Sequence, residues 1–295
     1  MYIIIGASGY LGSYIIQKIL TNTNEKIIAT YNSYSEKLEN NPRVLWKQLN
    51  ILDRSNIDFF CKQTLNSNIK YKCVYLSAYH HPDKVESNPE LAWQINIACL
   101  DYFLEKTKPY LLSLYYASTD SIYGESQNNH FFKEIDAYNP VNTYGRTKAA
   151  AEQIVLMHGF SVVRYSLLMG PSLLSKKHFF DIIVESLKNK KDIDMFADSS
   201  RSVISFDMAS YFTVLLLEKY YKARDIINIT SDSYLTKFEM AHKIANKLKL
   251  DNSFIKPASI KTKNDFGSKR AQNTLISNKK LKNILKLDNI TYNYV

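Results

Sequence analysis

Tyr144 and Lys148 stand four residues apart in Tyr-Gly-Arg-Thr-Lys. On a helix that spacing puts both side chains on one face, where they can address a single bound molecule. A free phenol has a pKa of about 10, too high for efficient proton transfer near neutrality. A neighbouring ammonium favours the phenolate and lowers that value. A second stretch, Ser118-Thr119-Asp120-Ser121-Ile122-Tyr123-Gly124, sets hydroxyls and a carboxylate at the end of an apolar run. Read by themselves, those hydroxyls cap the end of a strand. A third stretch, Gly6-Ala7-Ser8-Gly9-Tyr10-Leu11-Gly12, follows the β-prone run Tyr2–Ile5 and precedes a helical pattern. Strand, glycine turn and helix is the context of a dinucleotide site. Gly6 permits the tight turn, Gly9 lets the backbone approach a pyrophosphate, and Gly12 allows close helix–strand packing. The phosphates then meet free N–H groups at a helix N-terminus.

These groups need a scaffold, and the chain supplies strand patterns at Tyr2–Ile5, Ile27–Tyr31, Val44–Leu49, Val74–Ala78, Leu111–Ala117 and Ser161–Tyr165. Helical patterns lie around 53–66, 88–107 and 143–158. The alternation predicts an α/β fold with a doubly wound parallel sheet. Residues 1–165 form a dinucleotide-binding Rossmann domain in this reading, and 166–295 mainly a substrate-binding lobe with some segments returning to that domain. Such folds commonly select NAD with an acid after the second strand. Here the region reads Tyr31-Asn32-Ser33-Tyr34-Ser35-Glu36-Lys37, with its first acid late. Asn32, Ser33, Ser35 and Lys37 suit a 2′-phosphate, so NADPH is expected, with NADH the alternative.

The spacing Gly6-x-x-Gly9-x-x-Gly12, with Tyr144 and Lys148, resembles the extended branch of the short-chain dehydrogenase/reductase family. Within it, Ser118-Thr119-Asp120 followed by Ile122-Tyr123 is similar to the dTDP-4-dehydrorhamnose reductases. So are Ala78 to Glu86 with Pro89, Ala92 and Asn96, Glu134 to Tyr144, and Lys269 to Leu281. The resemblance implies NADPH-dependent reduction of the 4-keto group of a nucleotide-linked deoxysugar for glycan precursor synthesis. Thr119 would bind the reacting oxygen, Tyr144 deliver the proton, and Lys148 hold the nicotinamide ribose. It assigns Gly6, Ser8, Gly9, Tyr10, Leu11, Gly12, Asn32, Ser33, Asn50, Ile51, Ser77, Ala78, Tyr79 and Lys148 to the cofactor. Asp53, near that group, reads equally well as a helix N-cap. His80, His81, Asp120, Ser121, His178, Arg201 and Arg270 are assigned to the substrate. Arg201, Arg270 and Lys177 are the candidates for its diphosphate.

Departures from the family pattern are informative. Sugar-nucleotide 4,6-dehydratases carry a Glu where this chain has Ser121, so elimination lacks its base. The related GDP-fucose synthases pair a His, near His178 here, with a Cys at the position of Ser121. The alternatives are therefore an epimerase/reductase, kept open by His178, and a non-catalytic NADP-binding regulatory subunit, since the reductase branch includes relatives that modulate a partner enzyme.

Bulk composition agrees with a small-molecule enzyme. The 295 residues are 45% hydrophobic, and the formal net charge is +10. The basic residues are spread along the chain rather than gathered in a stripe, so no nucleic-acid partner is expected. A basic protein suits an anionic substrate. No apolar run approaches the ~18 residues of a membrane span, and no leader pattern is visible, so the expected location is the cytoplasm. Three cysteines without paired spacing imply no structural metal. Apolar residues on the helices at 88–107 (Leu91, Ile95, Leu100, Phe103, Leu104) and 143–158 (Ala149, Ala150, Ile154, Val155, Met157) exceed one sheet-facing stripe. A homodimer through these helices is expected.

Overall fold

The structure is a computed structural model that describes residues 1–33, 41–262 and 266–292. Ser35 and Lys37, named above for the 2′-phosphate, and the late acid Glu36 lie outside the described residues.

A seven-stranded parallel sheet forms the centre. Its strands in chain order are β1 (Tyr2–Ile5), β2 (Ile27–Tyr31), β3 (Val44–Gln48), β4 (Tyr71–Tyr75), β5 (Leu111–Thr119), β6 (Ser161–Tyr165) and β7 (Ile226–Ile229). In space they run β7-β6-β5-β4-β1-β2-β3. All four residues of β1 are buried, as a strand covered on both faces requires. Tyr2 and Ile4 enter one core with Ile15, Ile16 and Ile19 of the first helix and Phe212 and Leu216 of the helix Phe206–Lys219. Ile3 and Ile5 enter the opposite core with Ile57, Phe60, Phe103 and Val155.

β4 and the helix at 88–107 differ from expectation. β4 begins at Tyr71 and ends at Tyr75, three residues early, because Lys72 interrupts the apolar run yet pairs with β1. Its ammonium leaves the core through an ion pair with Glu218 at 2.8 Å. β7, added by a segment far beyond residue 165, pairs in parallel with β6. The helix expected at 88–107 is broken into Pro89–Trp93, a π-helical turn at Gln94–Ala98, and Cys99–Thr107. Such turns re-aim side chains at functional sites, and this one carries Asn96 into the interior.

The expected surplus of apolar residues on the outer helices is narrower than the sequence suggested. Leu100, Phe103, Leu104 and Val155 face the sheet and are buried. Leu91, Ile95, Ala149, Ala150 and Ile154 are half-buried, whereas Trp93 (45% exposed) and Met157 (84%) point to solvent.

A third core, built on Phe180, Ile183, Met195, Met240 and Ile244, belongs to the C-terminal lobe. Its strand Ser200–Ser205 pairs with Leu167–Met169 and Tyr234–Thr236. No helix among the described residues is long and apolar enough to cross a membrane.

Candidate active site

The glycine turn has the geometry its sequence implied. Gly6 adopts φ +79°, and a Cβ there would lie 2.8 Å from Ser77 Oγ and 3.0 Å from Ser77 N. A Cβ on Gly12 would lie 2.5 Å from the Ala7 carbonyl oxygen, so only glycine lets the first helix approach β1 this closely. That helix, Tyr10–Asn22, starts at the exposed Gly9 with no side-chain cap and no acid in its first turn. Its first N–H groups are open to an anion. A dinucleotide pyrophosphate fits this cradle.

The cradle opens into a cleft of about 570 Å³ between the sheet and the lobe. Gly6, Ser8, Gly9, Tyr10, Leu11 and Gly12 line one part of it, with Ala78 and His80 beyond β4. Thr119, Asp120, Ser121, Tyr144 and Lys148 line another, and His178 and Arg201 come from the lobe. Three stretches far apart in the chain therefore meet in one space.

Asn142 caps the helix Thr143–Met157 by accepting from Gly145 N–H, and so fixes where Tyr144 and Lys148 emerge. Burial raises the Tyr144 phenol well above its ordinary value, the Asp120 charge raises it further, and a hydrogen bond with Thr119 opposes both. The expectation that Lys148 lowers the phenol is thus not met. The Lys148 amino group, 2% exposed, instead donates to Tyr116 Oη and the Ala117 carbonyl, both at 2.6 Å. Burial pulls its pKa down to about 7, while Glu152 acts to raise it. A lysine so often neutral lends the tyrosine little charge. The phenol stays protonated, which is the state a proton donor needs.

Residues to which the sequence reading gave no part in the site hold these groups in place. Asn96 accepts from Tyr79 N–H at 2.8 Å and donates to Tyr79 O and Thr147 Oγ1, both at 3.1 Å. It ties the loop after β4 to the Tyr144 helix. Glu152, fully buried, pairs with Arg164 of β6 at 2.6 Å, and Tyr138 donates to the same carboxylate at 2.8 Å. Ser118, beside Thr119, also donates to Glu152. Arg164 reaches Tyr123 Oη at 2.5 Å as well. Tyr144, Lys148 and Glu152 follow at intervals of four, a spacing that would have drawn attention to Glu152.

The remaining candidates are divided between the cleft and the surface around it. Asn32 and Ser33 are exposed just beyond β2. Asn50 closes a local turn, its side chain accepting from Leu52 N–H at 3.1 Å, and Ile51 packs on the sheet core, so neither lines the cleft. Asp53 is the N-cap of the helix Arg54–Thr64. Ser77 abuts Gly6, and Tyr79 is held by its backbone, but neither lines the cleft. His81 is exposed at the start of a short helix. His178 packs edge-on against Tyr10 and Phe206, with Nδ1 buried and unpartnered. Burial lowers the pKa of its imidazole. Of the three diphosphate candidates, Arg270 lies outside the cleft lining, paired with Asp83 at 2.8 Å. Lys177 is exposed and paired with Glu185, whereas its neighbour Lys176 lines the cleft. Arg201 lines the cleft, but its guanidinium is engaged by Asp120 at 2.6 Å.

The family described as RmlD substrate binding domain matches residues 1–294. The chain belongs to that family. Among curated proteins, this RmlD-family chain is 24% identical to methionine adenosyltransferase 2 subunit beta of Bos taurus over 261 residues, 86% of this chain and 74% of the relative. It is 29% identical to dTDP-glucose 4,6-dehydratase of Haemophilus influenzae over 174 residues, 52% of this chain and 49% of that one. Among solved structures it resembles a hypothetical dTDP-4-dehydrorhamnose reductase of Sulfolobus tokodaii, with a TM-score of 0.81, 24% identity and coverage of 99% and 98%. A dTDP-4-dehydrorhamnose reductase of Bacillus anthracis, solved with NADP, gives 0.80, 19%, and coverage of 99% and 94%. At these identities the structural likeness establishes the fold alone, a Rossmann-type α/β fold around a parallel sheet.

Proposed function

We propose that this RmlD-family protein reduces the 4-keto group of a nucleotide-linked deoxysugar with NADPH, in the manner of a dTDP-4-dehydrorhamnose reductase, and serves glycan precursor synthesis. The observation that carries this reading is the convergence of Thr119, Tyr144 and Lys148 on a cleft that begins at an open dinucleotide cradle. A bound reduced nicotinamide would supply the hydride. As charge grows on the ketone oxygen, Thr119 holds that oxygen and Tyr144 Oη delivers its proton. Lys148, on the helix face of Tyr144, sets its Nζ against Tyr116 and Ala117 of β5, and this reading gives it the cofactor ribose. Ser121 leaves the site without the carboxylate an elimination needs. His80 from the loop after β4, with His178 and Arg201 from the lobe, lines the same cleft, and this reading gives these side chains to the sugar nucleotide.

The test incubates purified protein with NADPH and a panel of dTDP-, UDP- and GDP-linked 4-keto sugars and follows cofactor oxidation. Turnover of at least one member, lowered about a hundredfold or more in Tyr144→Phe, is the expected result. A second reading, a non-catalytic subunit of a partner enzyme, is favoured by the relatives named as a methionine adenosyltransferase subunit. NADPH binding without turnover of any keto sugar would select that reading. We also propose a homodimer through the helices that carry Trp93 and Met157, since these exposed apolar side chains gain from cover.

A further inference from the structure

Arg201 belongs to the lobe strand Ser200–Ser205, yet its Nη2 crosses to the end of β5 and donates to Asp120 Oδ1 at 2.6 Å. Asp120 is 2% exposed. The same oxygen faces Thr119 Oγ1 at 3.3 Å and Ser121 Oγ at 3.5 Å, while Oδ2 is buried with no partner. One carboxylate oxygen thus meets three donors and the other meets none. Thr119 has a single hydroxyl proton. A buried carboxylate without a cation would be the strongest acceptor within its reach, and would draw that proton away from a substrate oxygen. Its charge would also oppose any negative charge growing beside Tyr144. The Arg201 contact is the shortest of the three and the only one whose donor is itself a cation.

We propose that Arg201 is a positioning residue for the reduction: by neutralising Asp120 it leaves the hydroxyls of Thr119 and Tyr144 directed at the reacting oxygen. This differs from a grip on the substrate diphosphate, the role its sequence position suggested, and it rests on the ketoreductase reading. Neutralisation predicts an effect on kcat that depends on Asp120. A diphosphate grip predicts an effect on KM that does not.

The experiment is a double-mutant cycle of Arg201→Met, Asp120→Asn and the pair, with Arg201→Lys as the conservative variant. All are assayed on the keto sugar that the wild type turns over, with NADPH affinity measured separately. Arg201→Met should lower kcat about tenfold or more, as expected when one partner of a buried charge pair is removed, with substrate KM within about twofold. Asp120→Asn/Arg201→Met should return kcat to within about threefold of Asp120→Asn alone, and Arg201→Lys should retain most of the activity. Losses that simply multiply in the double variant, or a loss confined to KM, overturn this inference and leave the ketoreductase reading intact. Absence of wild-type turnover overturns both. Should Arg201→Met fail to fold, the comparison of Arg201→Lys and the double variant with Asp120→Asn decides by the same criterion.

Discussion

Lys148 gives the sharpest physical prediction, because the folded chain buries a group that the unfolded chain would protonate. Its pKa falls from 10.5 to about 7, with burial the largest cause. At 1.36 kcal/mol per decade, folding at pH 7 with this lysine costs on the order of 4 kcal/mol relative to a neutral side chain. Lys148→Met removes that cost. It also removes the hydrogen bonds to Tyr116 Oη and the Ala117 carbonyl, a loss of about 2 kcal/mol for the pair. The variant should therefore be about 2 kcal/mol more stable than wild type at pH 7. The sign of the pH dependence follows. Between about pH 7 and 10.5 the unfolded wild type holds one proton more than the folded form. Wild-type stability gains about 1.4 kcal/mol per pH unit from this site as pH rises. The variant lacks that gain, so its advantage shrinks and vanishes near about pH 9. Urea unfolding of both proteins at pH 7, 8 and 9, at one ionic strength, measures the difference with other titrations cancelling. A variant less stable at every pH, by an amount that does not change with pH, would show that Lys148 is an ordinary paired cation.

Further predictions concern the proposed activity and assembly. Tyr144→Phe should reduce turnover by about a hundredfold or more, the usual scale of general acid catalysis, while NADPH affinity is unchanged. Unaltered turnover would remove the proton from Tyr144. The kcat/KM with NADPH should exceed that with NADH; a tenfold preference for NADH, about 1.4 kcal/mol in the transition state, has the wrong sign. Light scattering at micromolar concentration should report twice 34.1 kDa, with Trp93→Glu/Met157→Glu shifting it toward the monomer. A clean monomer in the wild type would end the dimer proposal.

The local chemistry of this protein was legible in its sequence. Gly6 and Gly12 are required by close contacts with Ser77 and Ala7, and a short-range turn of that kind leaves a fixed spacing of small residues. The interval between Tyr144 and Lys148 is likewise a helical property, visible without any tertiary knowledge. The alternation of strands and helices revealed the parallel sheet for the same reason, since each run records its own burial. What crosses the chain was not legible. That Lys148 points at Tyr116 and Ala117, that Arg201 meets Asp120, and that Asn96 bridges Tyr79 and Thr147 all depend on elements folded against one another. A lysine looks charged in a sequence whatever surrounds it, and only the surrounding core pulls it toward neutrality. An arginine in a lobe looks free to bind phosphate until the fold sets a buried carboxylate beside it. Residue type and spacing determined which groups are candidates for chemistry here, and tertiary packing decided their charge and their partners, because desolvation and pairing act through space.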